Sequence, residues 1–90
     1  MTTPHPRYRV EYTAAAARQV RKLEPAIRRR IVTAIEALGV DPRPAGTKAL
    51  QGTAGHRIRI GDYRVLYTIE DGTVTVLVFR VAHRGEVYRT

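Results

Sequence analysis

Two alternating stretches in the second half of the chain constrain the fold most. His56–Ile60 and Tyr63–Glu70 alternate polar and apolar side chains with a period of two, which is typical of half-buried β-strands. Gly61-Asp62 separates them and Asp71-Gly72 follows the second, and both pairs are typical of hairpin turns. Thr73–His83 comes next, and its nearly continuous apolar side chains favour a central strand that is covered on both faces. The second half therefore predicts a three-stranded antiparallel meander.

The first half predicts one strand and two helices. Arg7–Tyr12 has the alternation of a strand, and Thr13 is a typical N-cap residue before a first helix over 14–23. Glu24-Pro25 interrupts that helix, because proline is favoured in the first turn of a new one. Apolar residues at helical spacing then predict a second helix over 25–38, which Gly39 stops. The two helices are predicted to form an antiparallel hairpin.

A connection rich in proline and glycine, Val40–Ala54, joins the two halves. Within it, Lys48 and Leu50 are predicted to contact the body of the protein. The predicted fold class is α+β: an N-terminal strand, two helices and a three-stranded meander, with the helices on one side of a small mixed sheet. Residues 1–90 are predicted to form a single domain, since so short a chain has no room for two cores.

Composition excludes several classes of site and location. The chain has no cysteine, and its three histidines lack the spacing of metal ligands, so no metal and no cofactor are expected. No apolar run approaches the roughly 20 residues of a membrane span, and the N-terminus lacks the apolar core of a secretory signal. We therefore expect a cytoplasmic protein without a membrane partner.

The net charge of +8 is extreme for a chain this short and indicates an anionic partner. Nucleic acid is the leading class, because arginine supplies most of the excess and its planar guanidinium binds phosphate through two parallel hydrogen bonds. Two other interpretations remain open. A genome rich in G and C favours arginine codons, and a basic surface also suits an acidic protein partner.

Strand alternation predicts where the arginines point. Arg57 and Arg59 share one side of their strand, and Arg64 lies opposite the apolar side of the next. We expect the helices to cover the apolar side, which leaves the arginine side open to a phosphate backbone. An ordinary solvated strand face is the alternative for Arg57 and Arg59.

The chain resembles the RelE/ParE toxins of bacterial toxin-antitoxin pairs over nearly its whole length. The resemblance depends on the order of elements and on two motifs, Gly61-Asp62-Tyr63-Arg64-Val65-Leu66-Tyr67 and Val81-Ala82-His83-Arg84 leading to Val87-Tyr88. Members similar to RelE cut messenger RNA in the ribosomal A site without a metal, using the 2'-hydroxyl of the substrate as nucleophile. Members similar to ParE share the fold and poison DNA gyrase instead.

The resemblance implies roles for individual residues. Arg64 and Arg84 match the phosphate-stabilising arginines of the family, and Tyr88 matches its C-terminal tyrosine, which stacks on a base or assists proton transfer. Arg57 and Arg59 stand where the best-studied members have lysines, and with Lys48 they are predicted to bind RNA. Arginine stays protonated, so this departure moves the general base elsewhere.

His83 is the first candidate for that base and Tyr88 the second. An unperturbed imidazole titrates near pH 6.5, and a neighbouring Arg84 favours its neutral, proton-accepting form. A packed or capping histidine is the alternative at that position. Arg28–Arg30 is predicted to be the exposed face of the second helix or a contact to ribosomal RNA, and His56 to flank the groove.

The leading hypothesis is a RelE-like endoribonuclease that cleaves ribosome-bound messenger RNA and inhibits translation. Its expected partners are messenger RNA, the ribosome with its ribosomal RNA, and a cognate acidic antitoxin. Operator DNA is expected as a partner only through the antitoxin complex. The alternatives are a ParE-like toxin that binds gyrase without chemistry of its own, and an inert basic binding module.

Overall fold

The computed structural model of the protein describes residues 7–52 and 54–83. Its elements follow in the order β1 (Arg9–Tyr12), α1 (Ala14–Arg21), α2 (Pro25–Ala37), β2 (Lys48–Ala49), β3 (Gly55–Ile60), β4 (Tyr63–Glu70) and β5 (Thr75–His83). The strands form one sheet in the order β1-β5-β4-β3-β2. β1 pairs with β5 in parallel and the other neighbours are antiparallel, so the predicted mixed α+β architecture is confirmed.

The hydrophobic core lies between the two helices and one face of the sheet. α1 contributes Ala16 and Val20, and α2 contributes Ile31 and Ile35. The strand residues that pack against them are Val65, Tyr67, Val76, Val78 and Val81. Both helices therefore cover the same face, as the sequence predicts, and no helix of the described residues covers the opposite face, which we call the open face.

Local chemistry explains where the helices begin and end. The Thr13 side chain accepts a hydrogen bond from the Ala16 N–H at 3.1 Å, which confirms it as the N-cap of α1. α1 ends at Arg21 and not at Leu23. The Arg28 guanidinium donates to the carbonyl oxygens of Arg21 and Leu23, at 3.2 and 2.8 Å, and so satisfies acceptors that the helix end exposes. Arg28 thus caps a helix and is partly buried, unlike the exposed residue that the sequence predicts.

The close approach of β1 to the end of α2 requires a glycine. The Tyr8 N–H donates to the Gly39 carbonyl at 2.7 Å, and a Cβ added at Gly39 would lie 2.9 Å from the Tyr8 carbonyl oxygen. α2 ends at Ala37, two residues before this contact. Gly39 is therefore needed for packing, and it does not end α2 as a left-handed cap because its φ is not positive.

The strands differ from the prediction in some of their bounds and in their number. β1 begins at Arg9 and not at Arg7, and β5 begins at Thr75 because the preceding turn occupies residues 71–74, with Val74 at a φ of 50°. The connection after α2 also contains a strand of its own, β2, so the sheet has five strands where four were predicted. β2 has only two residues, and such a short strand leaves no alternation to detect in a sequence.

Candidate functional site

The open face of the sheet carries a group of cations whose places are set by strand pairing. Arg59 lies directly opposite Arg64, and Arg57 lies between Lys48 on one side and Leu66 on the other. Directly paired residues share a face, and the neighbours of the arginines, Ile58 and Val65, pack towards the core. The register therefore confirms that Arg57, Arg59 and Arg64 occupy one surface, and it places Lys48 beside them. We call these four residues the basic face.

Two clefts meet on the basic face. The larger, of about 400 Å³, is lined by Arg59, Gly61, Asp62, Tyr63 and Arg64. The second, of about 360 Å³, is lined by Ala45, Gly46, Lys48, Arg57, Ile58 and Arg59. Arg59 borders both clefts, so an anionic chain lying across the sheet would meet cations in each.

The chemistry of the basic face is binding and charge stabilisation. Guanidinium groups keep their proton and offer several N–H donors in a planar fork that matches a phosphate. They can hold the negative charge of a pentavalent phosphorane, but Arg57, Arg59 and Arg64 cannot accept a proton at neutral pH. A general base for cleavage must come from another residue.

Arg80 is a further cation on the open face that sequence reasoning missed. Its partner in β4 is Leu66, while Val78 pairs with Tyr67, so Phe79 is an extra residue in β5. This irregularity reverses the alternation: Val78 and Val81 both face the core although they are three residues apart. Without the bulge, the pattern of buried valines would have placed Arg80 inside.

The same bulge places His83 on the helix-covered side of the sheet. His83 pairs with Tyr63, and the two rings meet edge to face with centroids 5.0 Å apart. Both line a cavity of about 210 Å³ with Gln19 of α1 and Lys22, the residue that follows α1. The structure thus places His83 on the face opposite Arg59 and Arg64, and its role as general base stays a prediction.

His56 also lies away from the basic face. It pairs with Tyr67 across β3 and β4, and the two rings stack with centroids 5.7 Å apart. Tyr67 is fully buried in the core, so this pair belongs to the helix side of the sheet. The expectation that His56 flanks the groove is therefore wrong, because it lies one residue out of phase with Arg57.

The connection between α2 and β3 is anchored to the core through Tyr67. The Tyr67 hydroxyl donates to the Pro42 carbonyl at 2.8 Å and lies 3.3 Å from the Thr47 hydroxyl. Burial raises the pKa of Tyr67, so its hydroxyl stays protonated as a donor. This anchor leads directly into β2 and fixes Lys48 opposite Arg57.

A second anchor lies at the turn between β4 and β5. Asp71 accepts hydrogen bonds from the Tyr8 hydroxyl at 2.6 Å and from Arg43 at 3.0 Å. The hydrogen bond from Arg43, followed by that from Tyr8, lowers the pKa of the Asp71 carboxyl below its ordinary value. These contacts tie the start of the chain, the long connection and the β4–β5 turn together.

Two predicted site residues, Arg84 and Tyr88, lie outside the described residues. Within residues 7–52 and 54–83, no group of three or more histidine, aspartate or glutamate side chains could hold a metal ion. In the same part of the chain, no helix is long and apolar enough to cross a membrane.

Known proteins similar to this chain identify its family. The family model of the ParE toxin of type II toxin-antitoxin systems matches residues 10–88. Toxin RelG of Mycobacterium tuberculosis is 38% identical over 84 residues, covering 91% of this chain and 97% of the relative. Toxin RelE of the same organism is 36% identical over 91 residues, covering 99% and 93%.

Two solved structures also match this chain in fold. The toxin-antitoxin complex RelBE2 from Mycobacterium tuberculosis matches with a TM-score of 0.78 at 35% identity, covering 89% of this chain and 94% of the other. The archaeal RelE-RelB complex from Pyrococcus horikoshii matches with a TM-score of 0.77 at 27% identity, covering 89% and 98%. The chain therefore belongs to the RelE/ParE toxins of type II toxin-antitoxin systems.

Proposed function

We propose that this toxin is a metal-independent endoribonuclease that cleaves ribosome-bound messenger RNA. The observation that carries the proposal is the direct pairing of Arg59 with Arg64 in an open cleft of about 400 Å³. Two guanidinium groups on adjacent strands suit an RNA backbone that crosses the cleft, with Arg64 at the phosphate whose charge increases in the transition state and Arg59 at the neighbouring phosphate. The names of the relatives, RelG and RelE, support the same activity.

The proposed reaction is an internal transfer at one phosphodiester. The 2'-oxygen of the substrate loses its proton and attacks the adjacent phosphorus, which becomes a phosphorane. The bond from phosphorus to the 5'-oxygen then breaks, and that oxygen gains a proton, leaving a 2',3'-cyclic phosphate and a free 5'-hydroxyl. Arg64 and Arg84 stabilise the phosphorane, while Arg57, Arg59 and Lys48 hold the neighbouring backbone.

The proton acceptor in this proposal is Tyr88, in preference to His83. His83 lies with Tyr63 on the helix side of the sheet, so its imidazole is directed away from the paired arginines. A cluster of arginines lowers the pKa of a nearby phenol, because the phenolate is the charged form that they stabilise.

The proposed partners are messenger RNA, ribosomal RNA in the intact ribosome, and a cognate acidic antitoxin. The positive charge of the chain supports a complementary negative partner. The matched structures of RelBE2 and of the archaeal RelE-RelB are toxin-antitoxin complexes. Operator DNA is reached only through the antitoxin complex, and the site of action is the cytoplasm.

A second candidate function is binding and poisoning of DNA gyrase, which the description of the matching family as a ParE toxin favours. This activity requires no general base, and it produces double-strand breaks where the ribonuclease produces cut messages.

Primer extension on cellular messenger RNA after controlled induction tests the proposal. We expect cuts within translated codons for the natural toxin and none for a variant with Arg64→Ala and Arg84→Ala, which still binds its antitoxin. Arg18→Ala combined with Arg21→Ala is the charge-matched control, because both arginines are exposed on α1. Intact messages together with double-strand DNA breaks would instead assign the gyrase activity.

A further inference from the structure

Arg30 of α2 lies against the turn that closes the larger cleft of the basic face. A Cβ added at Gly61 would lie 3.2 Å from Nη1 of Arg30 and 3.5 Å from its Cζ and Nη2. Gly61 itself lines the cleft that contains Arg59 and Arg64. The Arg30 guanidinium is therefore at the rim of the proposed phosphate site, although its helix lies on the other side of the sheet.

The position of Arg30 on α2 explains how it reaches the rim. Ile27 and Ile31 pack towards the core, and Arg30 lies beside this apolar stripe, at the boundary between core and solvent. Its side chain lines a cavity of about 130 Å³ together with Ile60 and Tyr63, while the residue as a whole is exposed. An arginine in such a place packs its aliphatic stem and presents its charged end to water.

The two cavities on either side of the turn share two of their lining residues. Asp62 and Tyr63 border both the cleft with Arg59 and Arg64 and the cavity with Arg30. The single carboxylate of Asp62 is outnumbered there by three guanidinium groups. Positive charge thus extends round the end of the hairpin from the open face to α2.

We propose that Arg30 binds a backbone phosphate of single-stranded RNA, next to the nucleotide that occupies the cleft of Arg59 and Arg64. This inference rests on the proposed ribonuclease function and extends its RNA path to a residue of α2. The path turns the corner of the sheet at Gly61, where a φ of 59° favours glycine and the absent side chain leaves room for the Arg30 guanidinium.

The salt dependence of RNA binding tests this inference. The probe is a fluorescent single-stranded RNA with 2'-O-methyl groups, which cannot be cleaved because its nucleophile is blocked. Each phosphate contact with single-stranded nucleic acid contributes about 0.7 to the slope of log K against log salt. We expect Arg30→Ala to reduce the magnitude of this negative slope by about 0.7. Between about 50 and 200 mM salt, the Kd of the variant should then rise roughly 2.5-fold less than the Kd of the natural protein.

Matched variants separate a local contact from total charge. Arg18→Ala removes the same charge from an exposed position on α1 and should leave the slope as in the natural protein. Arg30→Lys keeps the charge and should restore the slope that Arg30→Ala loses. Equal slopes for the two alanine variants would overturn the inference.

Two further outcomes distinguish the possible causes of failure. If Arg30→Ala weakens binding of poly-glutamate and leaves RNA binding unchanged, the rim belongs to an acidic protein and the inference is wrong. Codon-position cuts in primer extension, combined with equal slopes, would leave the ribonuclease proposal intact and remove only the role of Arg30. Absence of cuts would remove the ribonuclease proposal itself.

Discussion

Arg59 and Arg64 are direct partners across β3 and β4, so two permanent positive charges project side by side from the open face of the sheet. Like charges that are directly opposite in a sheet destabilise it. An anionic ligand bound between the two guanidinium groups would offset this repulsion, as the proposed function requires.

The stability of the free toxin should reveal this repulsion. Arg59→Thr should raise the free energy of unfolding by a few tenths of a kcal/mol, because it removes one like charge and adds a residue that favours strands. Urea denaturation at low salt measures the gain, which should shrink as salt screens the charges. Arg9→Thr on β1 is the control, since Arg9 lies opposite the uncharged Thr75 and its ion pair with Glu11 is exposed and contributes little. Equal gains for the two variants would show that strand propensity alone is responsible.

The Tyr67 hydroxyl should stabilise the protein, because it anchors the connection between α2 and β3. Tyr67→Phe removes the donor to the buried Pro42 carbonyl and should lower the free energy of unfolding by about 1–2 kcal/mol. The loss is measured by urea denaturation with an unchanged m-value. Tyr12→Phe is the matched control, because the Tyr12 hydroxyl makes no hydrogen bond within the described part of the chain. A loss for Tyr12→Phe as large as for Tyr67→Phe would contradict the anchoring role.

The network at Asp71 should make stability depend on pH in the acid range. Its pKa is lowered in the folded state, first by the hydrogen bond from Arg43 and then by that from Tyr8. Its contribution is therefore fully present above the ordinary value of 3.8 and is lost as the pH falls through the lower folded value.

Asp71→Asn should consequently be less stable than the natural protein near neutral pH and approach it in strong acid. Thermal unfolding across that range measures the difference. When Arg43→Ala removes the guanidinium that lowers the Asp71 pKa most, the further effect of Asp71→Asn should be smaller. A constant difference between Asp71→Asn and the natural protein at every pH would contradict the linkage.

Substitution of the two candidate proton acceptors should separate their roles. His83→Ala should retain cleavage because the imidazole packs against Tyr63 on the helix side. Tyr88→Phe should slow cleavage by on the order of 100-fold or more, since it removes the proposed base and keeps the ring. Single-turnover cleavage of ribosome-bound messenger RNA measures both rates. The reverse result, with slow His83→Ala and normal Tyr88→Phe, would return the role to His83.

The sequence by itself determined the class of fold, both helices and the face of the three arginines. Periodicity was sufficient because each of these segments buries one side, and burial imposes the period of the element on the side chains. β4 runs from Tyr63 to Glu70 as predicted, with Val65 and Tyr67 inside and Arg64 outside. The motifs within β4 and beyond β5 also identified the family that the comparisons confirm.

Tertiary structure alone decided which residues of β5 join the arginines. The extra residue Phe79 shifts the register opposite Leu66 and Tyr67, and every side chain beyond it changes face. Arg80 thereby moves to the open face and His83 to the helix side. A bulge is an adjustment between two strands, made where they pair, so the composition of β5 alone does not specify it. The paired strands therefore determined which predicted site residues could act together.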